Sequence, residues 1–327
     1  MKTYVYTVSV AILIAAAAGF IIIPLLKKFK MGQNILGYVK EHDYKSGTPT
    51  MGGVIFIIAA IVAFFIFSKN SRNLSYVCIA IGLSYMAVGF IDDFIKIKFK
   101  RNEGLSPIQK TLFELVIAVI IAFYSQSRNL TKVYVPFTGE FYDLKFWHFP
   151  LCILVFLATT NSVNLTDGLD GLAGGVSYIY CAFMALIIIF ELNGNPSSYV
   201  NGGEYGNLVI LLLGLSGGLI GYLLFNTYKA SVFMGDTGSL ALGGFIASIS
   251  LVSGNLLFIP ILGIMYVMSS ISVIMQVAHF KRTGKRIFLM APLHHHFQHK
   301  GYSESKIVFG YKLVTFLSGS LCLLSIL

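Results

Sequence analysis

Ten apolar stretches of membrane-spanning length divide this chain and limit its fold more than any other feature. A helix needs about 20 predominantly apolar residues to cross a bilayer, because the hydrocarbon core is about 30 Å thick. The stretches lie at about residues 3–26, 52–68, 74–91, 111–126, 148–163, 171–191, 205–225, 238–253, 256–279 and 307–327. Only 12% of the residues are charged, against about 25% in soluble domains. We therefore predict an all-α integral membrane protein with about ten transmembrane helices, in which residues 1–327 form a single polytopic domain.

The distribution of Lys and Arg predicts how these helices are oriented. One set of loops contains 17 of these residues, and the opposite set contains six. Because basic loops tend to stay in the cytoplasm, we expect the first set to be cytoplasmic and both termini to lie outside. The net charge of +10 then belongs mainly to one membrane face. Such a face suits membrane lipids or anionic substrates, whereas a nucleic-acid partner is not expected.

Most aspartates also fall on the predicted cytoplasmic side. Six of the seven are there: Asp43, Asp92, Asp93, Asp167, Asp170 and Asp236. Ionisable groups this close to an apolar span are costly and usually mark a functional site. The four cysteines are scattered through apolar stretches without a CxxC pattern, which is typical of packing residues. We therefore predict an active site in catalytic loops at the cytoplasmic face.

The segment AVGFIDDFIKIKFK, residues 87–100, ends the third span with two adjacent acids, Asp92 and Asp93. Acids are unfavourable at the C-terminal end of a helix, because the helix dipole is already negative there. The structural alternative is a pair of solvated acids neutralised by Lys96 and its neighbouring lysines. Successive helical residues point about 100° apart, so the two carboxylates are not expected to hold one ion together. Different roles are predicted for them.

Two further segments place acids at turns between spans: NSVNLTDGLDGLAGG, residues 161–175, and FNTYKASVFMGDTGSLALGG, residues 225–244. Glycines let the backbone approach a ligand closely, and a helix N-terminus offers free N–H groups to phosphate. Simple N-capping by Thr166, Asp167 or Asp236 is the alternative. Carboxylates without cysteine ligands favour Mg²⁺ or Mn²⁺, which suits a phosphate-bearing substrate and phosphoryl transfer.

Two segments have two interpretations each. KSGTPTMGG, residues 45–53, matches neither a P-loop nor a dinucleotide fingerprint, and a Pro-Gly turn explains it as well as a function does. MAPLHHHFQHKGYSESK, residues 290–306, contains three successive histidines that suit phosphate or sugar binding or proton transfer, or that form a surface tract.

Three local features of the chain predict further details of its fold and site. Pro260 and Gly263 interrupt the ninth apolar stretch and predict a kinked or broken helix. Gln276 is a rare amide in the same stretch, and we expect it to face the site. The loop at 127–147 alternates apolar and polar residues and predicts a small β-hairpin.

With these motifs the chain resembles the polyprenyl-phosphate N-acetylhexosamine-1-phosphate transferase superfamily and, within it, the phospho-N-acetylmuramoyl-pentapeptide transferase family. The resemblance covers essentially the whole chain. It is carried by GTPTMGG, VGFIDDFIK, GLSPIQK, NSVNLTDGLDGLA, FNTYKASVFMGDTGSLALGG and APLHHHFQHKG. The two adjacent acids alone indicate only the superfamily, whereas KSGTPTMGG and the triple histidine are the specific part.

The resemblance implies a Mg²⁺-dependent reaction in which undecaprenyl phosphate attacks the β-phosphorus of UDP-N-acetylmuramoyl-pentapeptide, giving lipid I and UMP. It implies catalytic roles for Asp92, Asp93, Asp236 and His294. Among these, Asp236 is the expected metal ligand, and Asp92 is expected to deprotonate or orient the lipid phosphate. The implied substrate-binding residues are Lys45, Thr50, Lys96, Lys110, Asn164, Asp167, Gly168, Leu169, Asp170, Asn226, Phe233, Gln276, His295 and His296. The family also implies a homodimer in the bacterial cytoplasmic membrane.

Other functional classes fit the sequence less well. An ion-coupled transporter also places acids within broken helices, but its acids are expected near the membrane midplane and in matched halves. A lipid-binding scaffold without chemistry does not explain so many acids at one face. Within the enzyme class, the alternative is a transferase for another UDP-hexosamine, and the loop after Met290 argues against it.

Overall fold

The computed structural model describes residues 2–29, 47–69, 71–99, 103–194 and 202–327, and it is a bundle of α-helices with one β-hairpin. The helices are α1 (Lys2–Lys28), α2 (Gly53–Phe67), α3 (Asn73–Lys98), α4 (Pro107–Ser127), α5 (His148–Thr166), α6 (Leu172–Gly194), α7 (Gly202–Asn226), α8 (Gly235–Val252), α9 (Phe258–Leu262), α10 (Ile264–Thr283), α11 (Leu293–His299) and α12 (Glu304–Leu324). The strands are β1 (Lys132–Val135) and β2 (Glu140–Asp143).

The helices confirm the prediction of a multi-pass membrane protein. Within the described ranges, nine helices are long and apolar enough to cross a membrane. The remaining predicted span corresponds to α2, which has 15 residues and is entirely apolar apart from its glycine. A chain of this kind needs helices because every backbone polar group must be satisfied within the bilayer.

The ninth apolar stretch is broken where the sequence predicts it. The short helix α9 contains Pro260 and ends at Leu262, and α10 begins at Ile264. Gly263 lies between them with φ −90° and ψ 29°, outside helical geometry. A Cβ on Gly263 would lie 2.7 Å from the carbonyl oxygen of Ile259. The glycine therefore allows the chain to turn tightly between the two helices.

The predicted hairpin is also confirmed. The strands β1 and β2 pair antiparallel, with Lys132 opposite Asp143 and Val135 opposite Glu140. The backbone N–H of Tyr134 donates to the carbonyl of Gly254, just after α8, at 2.8 Å. This bond attaches the hairpin to the end of the bundle that is opposite the N-terminus of α8.

Helix α8 is the central element of the bundle, and its residues from Thr237 to Val252 are all buried. It packs closely against α3 and α5 because small residues face both neighbours. A Cβ on Gly243 would lie 2.6 Å from Thr160 of α5, and one on Gly244 would lie 2.7 Å from the Tyr85 ring of α3. Small residues let membrane helices approach each other in this way. The N-terminus of α8 consequently lies beside the C-terminal ends of α3 and α5.

The four cysteines are buried and free, as expected for packing residues.

Candidate active site

Three aspartates from two helices meet at one end of the bundle. Asp92 and Asp93 lie in the last two turns of α3, and Asp236 lies in the first turn of α8. Each offers one carboxylate oxygen, and these oxygens lie within 4.8 Å of one another. Asp92 and Asp93 are only 2% and 1% exposed. The alternative of two solvated surface acids is therefore excluded.

The sequence predicted that Asp92 and Asp93 would not hold one ion together, whereas in the structure one oxygen of each lies close to the same point. Two side chains about 100° apart on a helix can still converge on a point between their directions. The first turn of α8 occupies that point, because Gly89 lets it pack directly on α3. A Cβ on Gly89 would overlap the backbone carbonyl of Asp236.

Two lysines and an asparagine surround the acids. The ammonium nitrogen of Lys96 lies 2.6 Å from Asp92 Oδ2 and 2.8 Å from Asp236 Oδ2. Lys110 Nζ, from the first turn of α4, lies 3.2 Å from the same Asp236 oxygen. Asn164 Nδ2 donates to Asp236 Oδ1 at 2.7 Å, and Lys110 Nζ donates to Asn164 Oδ1 at 3.3 Å. The predicted residues of α3, α4, α5 and α8 thus form one network.

The residues just before α4 lie against Asp92. The backbone N–H of Leu105 donates to Asp92 Oδ1 at 2.8 Å. A capping box then starts α4, since the Ser106 side chain and Gln109 bond each other's backbone N–H groups. The GLSPIQK motif therefore orients both Asp92 and Lys110.

The turn at 167–171 is held by residues that were predicted to bind substrate. Asp170 Oδ2 accepts from the backbone N–H of Ala230 at 3.0 Å, and its own N–H donates to Glu304 Oε1 at 2.6 Å. Asn226 Oδ1 accepts from the N–H of Gly171 at 3.1 Å. The observed contacts of Asp170 and Asn226 thus tie the turn to the loop after α7 and to α12.

The capping alternative for this turn is wrong. Helix α6 begins at Leu172, and Asp167 follows the end of α5. The Thr166 hydroxyl donates to the carbonyl of Ser162 within α5, at 2.8 Å. Asp236 also does not precede α8, because it lies inside the first turn of that helix.

Asp167 and Gly168 are half-buried in this turn, and Leu169 beside them is buried. Burial is the main cause that raises the pKa of Asp167 to about 8, and the carboxylate of Asp236 adds to it. The raised pKa favours the protonated form of the Asp167 carboxyl, which can donate a hydrogen bond. A Cβ on Gly168 would overlap Nε2 of His294, so glycine is needed there to admit the imidazole.

The three successive histidines have different environments, because they follow one another around α11. His294 is fully buried, and within the described residues neither of its ring nitrogens has a hydrogen-bond partner. Burial, followed by the neighbouring His295, holds the pKa of His294 well below its usual range. His296 Nδ1 accepts from the backbone N–H of Leu289 at 3.1 Å. The His295 Nδ1 atom lies 3.0 Å from Gln298 Oε1.

The remaining predicted residues lie around this centre. Gln276 holds the loop before α11, since its Oε1 accepts from the N–H groups of Ile287 and Phe288 at 3.1 and 2.9 Å. Phe233 exchanges backbone hydrogen bonds with the segment before α2, one of them from Gly52 at 2.8 Å. Thr50 in that segment is buried. Lys45 lies outside the described residues.

Two residues beside this network were not singled out by the sequence. Glu114 is fully buried in α4, four residues after Lys110, and its Oε2 accepts from Asn161 Nδ2 at 2.5 Å. Thr237 follows Asp236, and its hydroxyl donates to Asp93 Oδ2 at 2.7 Å. A lone acid inside an apolar stretch was the available signal for Glu114, whereas Thr237 has no signal beyond its place next to Asp236.

Comparisons with known proteins identify the family. Residues 74–254, more than half of the chain, match the model of glycosyl transferase family 4. Residues 45–57 match phospho-N-acetylmuramoyl-pentapeptide-transferase signature 1. A phospho-N-acetylmuramoyl-pentapeptide-transferase of Caldanaerobacter subterraneus subsp. tengcongensis is 43% identical over 97% of this chain and 97% of its own. The chain belongs to the phospho-N-acetylmuramoyl-pentapeptide-transferase family.

Further relatives with the same name support this assignment. The protein of Clostridium novyi is 42% identical and covers 100% of this chain, with 97% of its own length aligned. A relative from Thermoanaerobacter sp. is 42% identical over 94% of both chains. Membership confirms the resemblance seen in the motifs, and it makes the chain a multi-pass membrane transferase. The signature at 45–57 covers the KSGTPTMGG segment, including Thr50.

Proposed function

We propose that this protein transfers phospho-N-acetylmuramoyl-pentapeptide from UDP-N-acetylmuramoyl-pentapeptide to undecaprenyl phosphate, forming lipid I and UMP for peptidoglycan synthesis. The observation that carries the proposal is the placement of Asp236 between Lys96 and Lys110, next to Asp92, in a member of this family. Acids among cations at the end of a membrane bundle suit a reaction between a nucleotide sugar and a lipid phosphate.

The residues present fit a hard divalent cation. The donor set consists of carboxylate oxygens, and Asp93 Oδ1 is buried without a hydrogen-bond partner among the described residues. Asp236 would hold Mg²⁺, with Asp92 and Asp93 close enough to contribute, and Mn²⁺ suits the same oxygens. When bound, the ion would neutralise charge on the phosphate oxygens of the substrate.

Asp92 and the two lysines would bind and activate the acceptor, undecaprenyl phosphate. Asp92 takes the proton from the undecaprenyl phosphate, or orients it, so that a phosphate oxygen can attack the β-phosphorus. A bond forms from that oxygen to the β-phosphorus, and the bond from the β-phosphorus to the bridging oxygen breaks. UMP leaves with both electrons of that bond. Lys96 and Lys110 would stabilise the charge that develops on the phosphate oxygens.

The nucleotide sugar would bind beside this centre. His294 and His296 would lie near the pyrophosphate and sugar, and the Phe233 ring would stack on uracil. A protonated Asp167 can donate a hydrogen bond to a carbonyl of the base. The remaining proposed pocket residues are Lys45, Asn164, Gly168, Leu169, Asp170, Asn226, Gln276 and His295. Asp170, Asn226 and Gln276 are supported as residues that fix the pocket loops, through the contacts described above.

We also propose that the site faces the cytoplasm, with both termini outside, and that the protein forms a homodimer in the bacterial cytoplasmic membrane. The orientation rests on the Lys and Arg distribution. Alkylation of single cysteines introduced near Gly301 and near Gly139, in intact cells, would distinguish the two faces. Labelling of the Gly301 position by an impermeant reagent would contradict this orientation.

A UMP-release assay tests the reaction. Purified full-length protein would receive UDP-N-acetylmuramoyl-pentapeptide, undecaprenyl phosphate and Mg²⁺, with other UDP-hexosamines in parallel. We expect UMP release with the first substrate and a loss of at least about 100-fold in Asp236→Asn. Release of UMP only with another UDP-hexosamine would replace the proposed substrate.

The same assay without lipid distinguishes two routes. Direct attack predicts that wild type releases no UMP when undecaprenyl phosphate is omitted. Lipid-independent release would instead indicate a covalent aspartyl-phosphate step.

A further inference from the structure

A contact between α3 and α8 caps the helix that carries Asp236. Asp93 Oδ2 accepts two hydrogen bonds from Thr237, one from its backbone N–H at 2.9 Å and one from its hydroxyl at 2.7 Å. N–H groups in the first turn of a helix have no partner inside that helix. Met234, at the N-cap position of α8, makes no side-chain capping bond. Asp93 therefore supplies the cap from a different helix.

The packing around this cap leaves little freedom for the first turn of α8. A Cβ on Gly89 would overlap the backbone carbonyl of Asp236, so the two helices touch through their backbones there. Gly235 has φ +71°, and a Cβ on it would lie 2.5 Å from both Asp93 Oδ2 and Thr50 Oγ1. Contacts between backbones cannot be relieved by rotating a side chain, so they fix the position of the turn.

Asp93 and Asp236 are placed for different tasks. The Asp236 side chain is 17% exposed and bonds the site lysines. Asp93 is 1% exposed, and its Oδ2 oxygen is occupied by Thr237, which is itself fully buried. Through that oxygen, Asp93 can affect the reaction only by holding the helix turn that carries Asp236. Groups that orient a reactive carboxylate in this manner contribute strongly to activity.

We propose that Asp93, Thr237 and Gly89 form an interhelical joint that positions Asp236, with Thr237 as a positioning residue for the reaction. The inference rests on the proposed function, because Asp236 is the residue whose placement it explains. A displacement of about 1 Å at a reacting group can lower a rate on the order of 100-fold. The joint therefore predicts a large kinetic effect from a residue that itself contacts no substrate.

Thr237 is the best residue for a test, because Thr237→Val keeps the shape of the side chain and removes only the hydroxyl donor. Asp93 itself is unchanged in this variant, and its Oδ1 is untouched. Thr237→Ser restores the hydroxyl. Ser248→Ala is the matched control, since Ser248 is a buried hydroxyl of the same helix that donates to the carbonyl of Phe245 and contacts Cys78, and bonds none of the site acids.

The experiment uses full-length protein in lipid nanodiscs and three readouts: amide hydrogen exchange of the segment 233–240, Mn²⁺ affinity by electron paramagnetic resonance, and steady-state UMP release. For Thr237→Val we expect exchange to accelerate by about 10-fold, Mn²⁺ affinity to fall severalfold, and kcat to fall by at least about 10-fold with KM within about twofold. Thr237→Ser should return all three to within about twofold of wild type, and Ser248→Ala should match wild type.

Unchanged exchange in Thr237→Val would overturn the joint. Faster exchange with unchanged Mn²⁺ affinity and kcat would overturn its positioning role, because the cap would then stabilise α8 without placing Asp236. A failure of the proposed function would look different, since wild type itself would release no UMP. Exchange and Mn²⁺ affinity would then still decide whether the joint places Asp236.

Discussion

Lys96 Nζ lies 2.8 Å from Asp236 Oδ2 across 140 residues of sequence, and it bonds Asp92 one helical turn away on α3 at 2.6 Å. One ammonium group thus joins the acids of two helices. Like charges this close repel, so a cation between them makes the buried cluster stable. The same cation is available to phosphate oxygens, which is why the network suits phosphoryl transfer.

Removing this cation should weaken both stability and activity. Lys96→Met leaves Asp92 with one partner fewer in a buried site, so we expect unfolding free energy to fall by about 1.5–3 kcal/mol. UMP release should fall by about 100- to 1000-fold. Lys98→Met is the control, because Lys98 is exposed on the same helix and lies over the Phe94 and Phe99 rings. Equal effects of the two substitutions on activity would contradict the assigned role of Lys96.

Two glycine substitutions should change the free energy of unfolding in opposite directions. Gly89→Ala places a methyl group against the Asp236 backbone, so we expect a loss of about 1–3 kcal/mol in unfolding free energy and at least 10-fold in kcat. Gly310→Ala, also within a helix, meets no atom within 4 Å and should stabilise the protein by about 0.5–1 kcal/mol. Thermal unfolding in detergent and UMP release measure both. A Gly89→Ala variant with the kcat of wild type would show that α8 can shift without consequence.

The pair of Glu114 and Asn161 should behave as a coupled unit. Asn161→Leu leaves the fully buried Glu114 carboxyl without this partner, at a cost of about 1–3 kcal/mol. Glu114→Leu leaves the half-buried Asn161 amide with its bond to the carbonyl of Leu157, so we expect a smaller loss. The double variant replaces both groups by apolar ones, so we expect it to recover most of that loss. Denaturant unfolding of the four proteins measures the coupling. Additive losses would show that the two side chains do not depend on each other.

His294 should make stability depend on pH. Its folded pKa lies well below the usual range because the ring is buried, whereas in the unfolded chain it is about 6.5. Below pH 6.5 the unfolded state therefore binds a proton that the folded state does not, so the free energy of unfolding falls as the pH decreases. Above pH 6.5 this group has no effect on the free energy of unfolding.

Unfolding temperatures measured between pH 5 and pH 8 would test this dependence. We expect His294→Asn to flatten the decline below pH 6.5, whatever its effect on stability at pH 8. His299→Asn, an exposed histidine of the same helix, is the control and should leave the decline in place. An identical pH slope in wild type and His294→Asn would contradict the burial of an uncharged imidazole.

The sequence alone predicted most of the architecture. Apolar length identified the nine described helices that are long enough to cross a membrane, because a bilayer imposes a minimum length, and it also located the shorter α2. Gly263 with Pro260 predicted the break before α10, since both residues lower helix stability locally. Alternation predicted the hairpin of β1 and β2, because a strand shows its two faces directly in its sequence. The motifs at the span ends also identified the residues that gather around Asp236.

Only the tertiary structure decided how those residues share their tasks. Asp92 and Asp93 point in different directions along α3, and whether they converge depends on where α8 packs, which no local pattern encodes. The contacts of Asp170 and Asn226 hold a turn, and the partner of Glu114 lies 47 residues away. Local physics determines which residues reach the end of the bundle, since span length and turn chemistry are short-range properties. The close approach at Gly89 determines what they do there, because it sets the angle and distance between two helices far apart in the chain.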